Sequence, residues 1–232
     1  LKKQGIQPLV TISHYEMPLY LVQAYGGWKH RCVIDHYVKY AKTVLDRFHE
    51  KVKYWITFNE MNFISTIPFC AGGLLIRGKD NQDMFQGAHH QLLAHALVTA
   101  YSHGSYPDLK IGCMVCGTLA YAQTPNPQDA MEQLECDRET YYYTDVFVRG
   151  RYPNYADSFL KKKQVVLHKQ EGDDEILAEG KVDFLAFSYY FTRIAPINPN
   201  NDPDLTDNER MLGKLENPYL QRTQWGWVID PV

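Results

Sequence analysis

Four short apolar runs, each separated from the next by a stretch of helical spacing, restrict this chain to an α/β architecture. The runs are 7–13 (QPLVTIS), 52–58 (VKYWITF), 110–120 and 182–190 (VDFLAFSYY). Each is rich in β-branched or aromatic residues, the pattern of a strand covered on both faces. Val33, Ile34, Tyr37, Val38, Ala41, Val44, Leu45 and Phe48 recur at helical spacing and predict a helix with one face on the sheet. A second helix is expected over 84–101, with Leu92, Leu93, Ala96, Leu97 and Ala100 on its apolar side. A third is expected around 141–148, and a short one starting at Ile176 and Leu177 and ending at Gly180. Crossover helices return each strand to the same end of the sheet, so the strands are expected to be parallel.

Long loops should follow the strands, at 13–28, 59–82, 121–136 and 191–230, and acting groups of parallel barrels gather at those carboxyl ends. Residues 196–207, rich in Pro, Asn and Asp, are expected to form a mobile loop. Residues 1–5 read as the end of a helix leading into the first strand, and neither chain end looks like a domain boundary. The 232 residues then form one partial domain over 1–232, an incomplete (β/α)8 TIM barrel of about four βα units. Half a barrel leaves two unpaired sheet edges, through which self-association is expected.

Composition removes several classes of function. With 45% hydrophobic and 22% charged residues, the chain has a soluble globular balance. The net charge of −3 and the absence of a basic block argue against a nucleic-acid surface, and Lys161-Lys162-Lys163 reads as a solvated helix end. No apolar run reaches the ~18 residues of a membrane span, and residues 1–5 carry no apolar signal core. Cys32, Cys70, Cys113, Cys116 and Cys136 are odd in number, and the Asn-x-Ser/Thr sequon is absent. A reducing cytoplasm is the simplest reading. Cys113 and Cys116 sit on an expected strand, whereas a redox pair normally opens a helix. His89, His90, His95 and His103 share one helix without the spacing of a zinc pair and read as helix surface or packing.

The strongest chemical feature is Thr57-Phe58-Asn59-Glu60, where a strand ends in an amide next to a carboxylate. A glutamate there can protonate a leaving group if its surroundings raise its pKa. It can equally pair with an arginine or cap a helix. His14, beside Tyr15 at another strand end, reads as a structural histidine or as a ligand contact. Tyr190, by itself, reads as a packed rim aromatic.

The stretch 52–62 (VKYWITFNEMN) closely resembles the acid/base signature of family 1 glycoside hydrolases. Residues 11–28 (TISHYEMPLYLVQAYGGW), 150–153 (GRYP) and 182–190 resemble further landmarks of that family in the same order. The resemblance implies a TIM barrel, of which this chain holds strands three to six, and retaining hydrolysis of β-glycosidic bonds without a metal or organic cofactor. It implies that Glu60 is the general acid/base and that Asn59 bonds the sugar 2-hydroxyl. It further implies that His14 contacts a ring hydroxyl and that Tyr190 orients the nucleophile. Tyr15-Glu16-Met17, Ser188 and 225–231 (WGWVIDP) are similar to the branch acting on 6-phospho-β-glucosides. An Ile/Val-Thr-Glu-Asn-Gly nucleophile motif is absent, since Glu139-Thr140 and Asn208-Glu209 do not fit it. Two other readings stay open: a catalytically inactive remnant with part of a sugar-binding surface, and an enzyme for unphosphorylated β-glucosides or β-galactosides.

Overall fold

The structure, a computed structural model, describes residues 1–75, 80–197, 213 and 215–232. In chain order the elements are β1 (Leu9–Ser13), α1 (Leu19–Tyr25), α2 (Val33–Phe48), β2 (Tyr54–Phe58), α3 (Pro68–Gly72) and α4 (Asn81–Ser105). There follow β3 (Lys110–Cys116), β4 (Ala120–Ala122), α5 (Pro127–Arg149), α6 (Ala156–Lys162), α7 (Asp173–Glu179), β5 (Phe184–Ser188) and β6 (Arg193–Ala195). β1, β2, β3 and β5 make one parallel sheet in that order. All their carboxyl ends therefore lie on one side.

Two expected boundaries move furthest. The run 110–120 is broken: β3 stops at Cys116, and β4 pairs with β6 in a separate parallel ladder. The Gly117 amide still donates to the Ser188 carbonyl at 2.7 Å, after which both chains leave the sheet. When pairing resumes at Ala120↔Arg193, its register has slipped by one residue from Cys116↔Ser188. The extra residue lies in the stretch that carries Tyr189 and Tyr190. The second change is α5, which begins at Pro127 inside the expected loop 121–136, with the Asn126 side chain accepting from the Gln128 amide as its N-cap. The outer strands are also less covered than a two-face reading implies, with Leu9 51% and Phe187 66% exposed. The expected mobile loop lies, from residue 198 onward, outside the described residues. Among the described residues no helix is long and apolar enough to cross a membrane.

Helix α4 is buried on nearly every side, including His89, His90 and His95. A helix with polar groups on that many faces is costly to bury unless most of them find partners. His90 bonds the Trp28 carbonyl at 2.7 Å, His95 bonds the Thr57 hydroxyl at 2.8 Å, and Gln91 donates to the Ala71 carbonyl at 2.8 Å. His89 joins Tyr152 at 2.8 Å and Asp173 at 3.0 Å, and Arg31 donates to both oxygens of Asp173. The reading of these histidines as packing groups fits, but they are interior rather than surface residues, apart from the more exposed His103. Lys163 is likewise not simply solvated: its ammonium lies 4.9 Å from the Phe159 ring centre and bonds Glu139 at 2.5 Å. Where α7 ends, Gly180 presses on α4 so closely that a Cβ would stand 2.1 Å from the Ala96 Cα.

Burial depresses the His90 pKa to about 4 and the His95 pKa to about 3. Burial alone would raise Asp173, but hydrogen bonds from Arg31, the Gln170 amide and His89 hold it well below the usual carboxylate range. For the histidines the unfolded chain binds protons first as pH falls, so stability should decline from about pH 6.5 down through their folded pKa values. Asp173 adds a loss in the same direction below about pH 4. Urea unfolding of the full-length protein should show this slope, and His95→Gln should flatten it. Asp173→Ala should cost about 3–5 kcal/mol by leaving Arg31 and His89 without their partner, measured at neutral pH.

Candidate active site

Four strand ends meet on one side of the sheet. β1 delivers His14 and Tyr15, β2 delivers Asn59 and Glu60, β3 ends at Cys116, and β5 leads into Tyr190. Glu60 is buried at 4% exposure and sits in the left-handed region at φ 35. Tyr15 is also left-handed, at φ 75. Such backbone in a non-glycine residue costs about 1–3 kcal/mol and persists only where the surroundings impose it.

The two residues in that conformation touch. The Tyr15 hydroxyl donates to Glu60 Oε2 at 3.2 Å and lies 3.4 Å from the Glu60 carbonyl oxygen. Glu60 Oε1 is buried without a hydrogen-bond partner. Burial, followed by the charge of Glu60, drives the Tyr15 pKa far up, so this phenol stays a neutral donor. The Asn59 side chain lies within hydrogen-bonding influence of Tyr15, and its backbone amide donates to the Ser13 carbonyl at 2.9 Å. His14 is exposed, its ring stacked on Tyr15 with centres 5.4 Å apart, and its amide donates to Glu16 at 2.5 Å.

Tyr190 reaches the site from across β3. A hydrogen bond with Ser188 lowers its pKa, but burial and the neighbouring Glu60 carboxylate together carry it upward. Its ring leans on Trp227, 5.5 Å away. Trp227 belongs to a small hairpin in which Arg222 bridges Val228 and Gly226 takes φ 83. Asp230 anchors that hairpin by accepting from Tyr121 at 2.9 Å and Thr192 at 2.8 Å. The segment 225–231 thus buttresses Tyr190.

Sequence reasoning named Glu60, Asn59, His14 and Tyr190, and the structure gathers Asn59, Glu60 and Tyr190 around the Tyr15 hydroxyl and the Glu60 carboxyl. His14 enters only through its stack on Tyr15. Two further residues shape the site. Tyr15 was read as a marker of sequence type rather than as a group in contact with Glu60. Asn62 is buried and clamps the turn after β2 to β3: its amide nitrogen donates to the Cys116 carbonyl at 3.1 Å, and its oxygen accepts from the Cys116 amide at 2.8 Å. An amide two residues after a strand-end carboxylate was the available clue. Burial raises both Cys113 and Cys116 to about 12, which keeps them as thiols at neutral pH. Next to the site, a cavity of about 310 Å³ opens between the turn after β1 and α2, lined by Tyr15, Met17, Trp28 and Tyr37 among others.

Comparison with known proteins places this geometry in context. The model of Glycosyl hydrolase family 1 matches residues 1–232. An aryl-phospho-β-D-glucosidase of Bacillus subtilis, BglH, is 46% identical over all of this chain and 49% of its own length. A 6-phospho-β-glucosidase of Escherichia coli, AscB, is 42% identical over all of this chain and 48% of its own. Among solved structures, the family 1 β-glucosidase of Thermotoga maritima superposes with a TM-score of 0.79 at 25% identity, covering 99% of this chain and 49% of the other. The chain spans about half the length of the curated relatives it matches. Asn62→Ala should leave the Cys116 amide and carbonyl unpaired and lower stability by about 2–4 kcal/mol, read from denaturant midpoints of the full-length protein.

Proposed function

We propose for this chain, which belongs to glycosyl hydrolase family 1, a share in the active site of a retaining β-glycosidase whose substrate is a 6-phospho-β-glucoside. The observation that carries this reading is Glu60, buried at a strand end, held through one carboxyl oxygen and unpartnered at the other. A carboxyl in that state has one oxygen available to a bound substrate.

In retaining hydrolysis two carboxyls flank the bond, about 5–5.5 Å apart. Glu60 is the acid/base. Its proton passes to the glycosidic oxygen as the bond to the anomeric carbon breaks, while the second carboxylate bonds that carbon. Glu60 then takes a proton from water as the hydroxide forms a new bond to carbon and releases the nucleophile. The nucleophile has no recognisable motif in this chain, so it belongs to the remainder of the full-length protein. Asn59 bonds the sugar 2-hydroxyl, His14 a ring hydroxyl, and Tyr190 orients the nucleophile. Support for these roles is positional: the residues follow the carboxyl ends of parallel strands, where such sites form.

Preference for a 6-phosphate is supported by the relatives named for phosphorylated glucosides at 46% and 42% identity, and by Tyr15-Glu16-Met17 and 225–231. Sugars phosphorylated during uptake place the reaction in the cytoplasm. Residues 1–232 alone are expected to be inactive, since they carry one recognisable member of the carboxyl pair and β1 and β5 stand at open sheet edges. Those edges should drive self-association of the isolated piece.

In the full-length protein, kcat/KM for p-nitrophenyl β-glucoside 6-phosphate should exceed that for the unphosphorylated compound. Equal values would reject the substrate assignment. Glu60→Gln should lower kcat for the phosphorylated substrate at least ~100-fold. Residues 1–232 alone should show no turnover, and a rate near ~10 s⁻¹ that Glu60→Gln abolishes would reveal a nucleophile within this chain.

A further inference from the structure

We propose that Tyr15 is a positioning residue that holds Glu60 by Oε2 and so makes Oε1 the oxygen that gives and takes the catalytic proton. This rests on the reading of Glu60 as acid/base. Three observations combine. The Tyr15 hydroxyl is within hydrogen-bond distance of Oε2, at 3.2 Å. Oε1 has no partner although it is buried. Both residues hold left-handed backbone, φ 75 and φ 35, so the contact is imposed by the fold at a cost in backbone conformation.

Other groups also face Glu60, but Tyr15 makes the direct bond to Oε2. From β3 comes Cys116, a protonated thiol raised by burial and by Glu60 itself, with Arg193 in electrostatic reach. From the end of β5 comes Tyr190, whose hydroxyl lies within hydrogen-bonding influence of both Ser188 and Glu60. Asn59 acts on the Tyr15 phenol. Tyr15 makes the direct hydrogen bond to Oε2, at 3.2 Å, while Tyr190 approaches the same carboxyl from the other side of β3. A neutral O–H at Oε2 steadies the ionised carboxylate after proton transfer, eases loss of the proton to the leaving group, and keeps the plane of the carboxyl fixed. The His14 ring stacked on Tyr15 limits the phenol's swing.

The test uses the full-length protein and aryl β-glucoside 6-phosphates graded from phenyl to 2,4-dinitrophenyl. Tyr15→Phe keeps the ring and removes the donor. Its kcat/KM profile should have an alkaline limb about one pH unit higher, and its rate loss should be ~10-fold or more for phenyl and slight for dinitrophenyl, which departs without a proton. 3-Fluorotyrosine at position 15, a stronger donor of nearly the same shape, should move the limb the other way. A raised KM with an unmoved limb would overturn the proposal and make Tyr15 a sugar contact. Equal losses for all leaving groups would overturn it too. Glu60→Ala separates the two layers of argument. If its dinitrophenyl activity is rescued by azide while Tyr15→Phe leaves the limb in place, only the role of Tyr15 fails. If Glu60→Ala is as active as the parent, the assignment of Glu60 fails and takes this one with it.

Discussion

Helix α4 occupies the middle of the structure because most of its buried polar side chains reach partners elsewhere in the chain. His90 on the Trp28 carbonyl, His95 on Thr57, Gln91 on the Ala71 carbonyl and His89 on Asp173 reach four separate parts of the chain. Each bond satisfies a buried group and fixes the spacing of the segment it reaches. Thr57 lies three residues before Glu60, and Trp28 closes the segment that starts at His14. The position of the site therefore depends on a helix that contributes no residue to it.

Around the carboxylate the same logic operates at shorter range. Asn62 ties the turn after β2 to the last peptide of β3, and Tyr15 ties the segment after β1 to the carboxyl itself. Glu60 is held between two neighbouring strands, so its unusual backbone is enforced from both sides. The one-residue slip between the β3–β5 and β4–β6 ladders opens the stretch through which Tyr190 turns toward Glu60, with Trp227 against its ring.

Much of this was legible in the sequence, for a physical reason. Strands buried in a parallel sheet leave apolar runs, and the motif around Asn59 and Glu60 sits at the end of one. Helix α2 declared itself fully because its apolar face repeats over its whole length. The first half of α5 did not: residues 127–138 are mostly polar, and only Asn126 and Pro127 mark a start. The break after Cys116 was hidden because Gly117, Thr118 and Leu119 continue an acceptable strand composition, while the actual constraint is where the partner β5 departs. The contact of Tyr15 with Glu60 was hidden for a related reason. It requires a left-handed backbone that aromatic residues rarely adopt, and no local pattern announces it. The histidines of α4 were placed on the right helix but not in its interior, since their partners come from distant segments.

The contact between Gly180 and Ala96 has an implication for how this molecule can diverge. With no room for even one added carbon, the two backbones touch, and neither position can enlarge unless α7 moves off α4. Asp173 stands at the opposite end of α7, so such a movement would drag the carboxylate away from His89 and Arg31 as a lever carries its load. Sequence drift at these two small residues should be coupled to drift at that ion cluster, although no side chain of one touches the other. Two of the plainest residues in the chain thereby set the tolerance of its most highly charged interior contact.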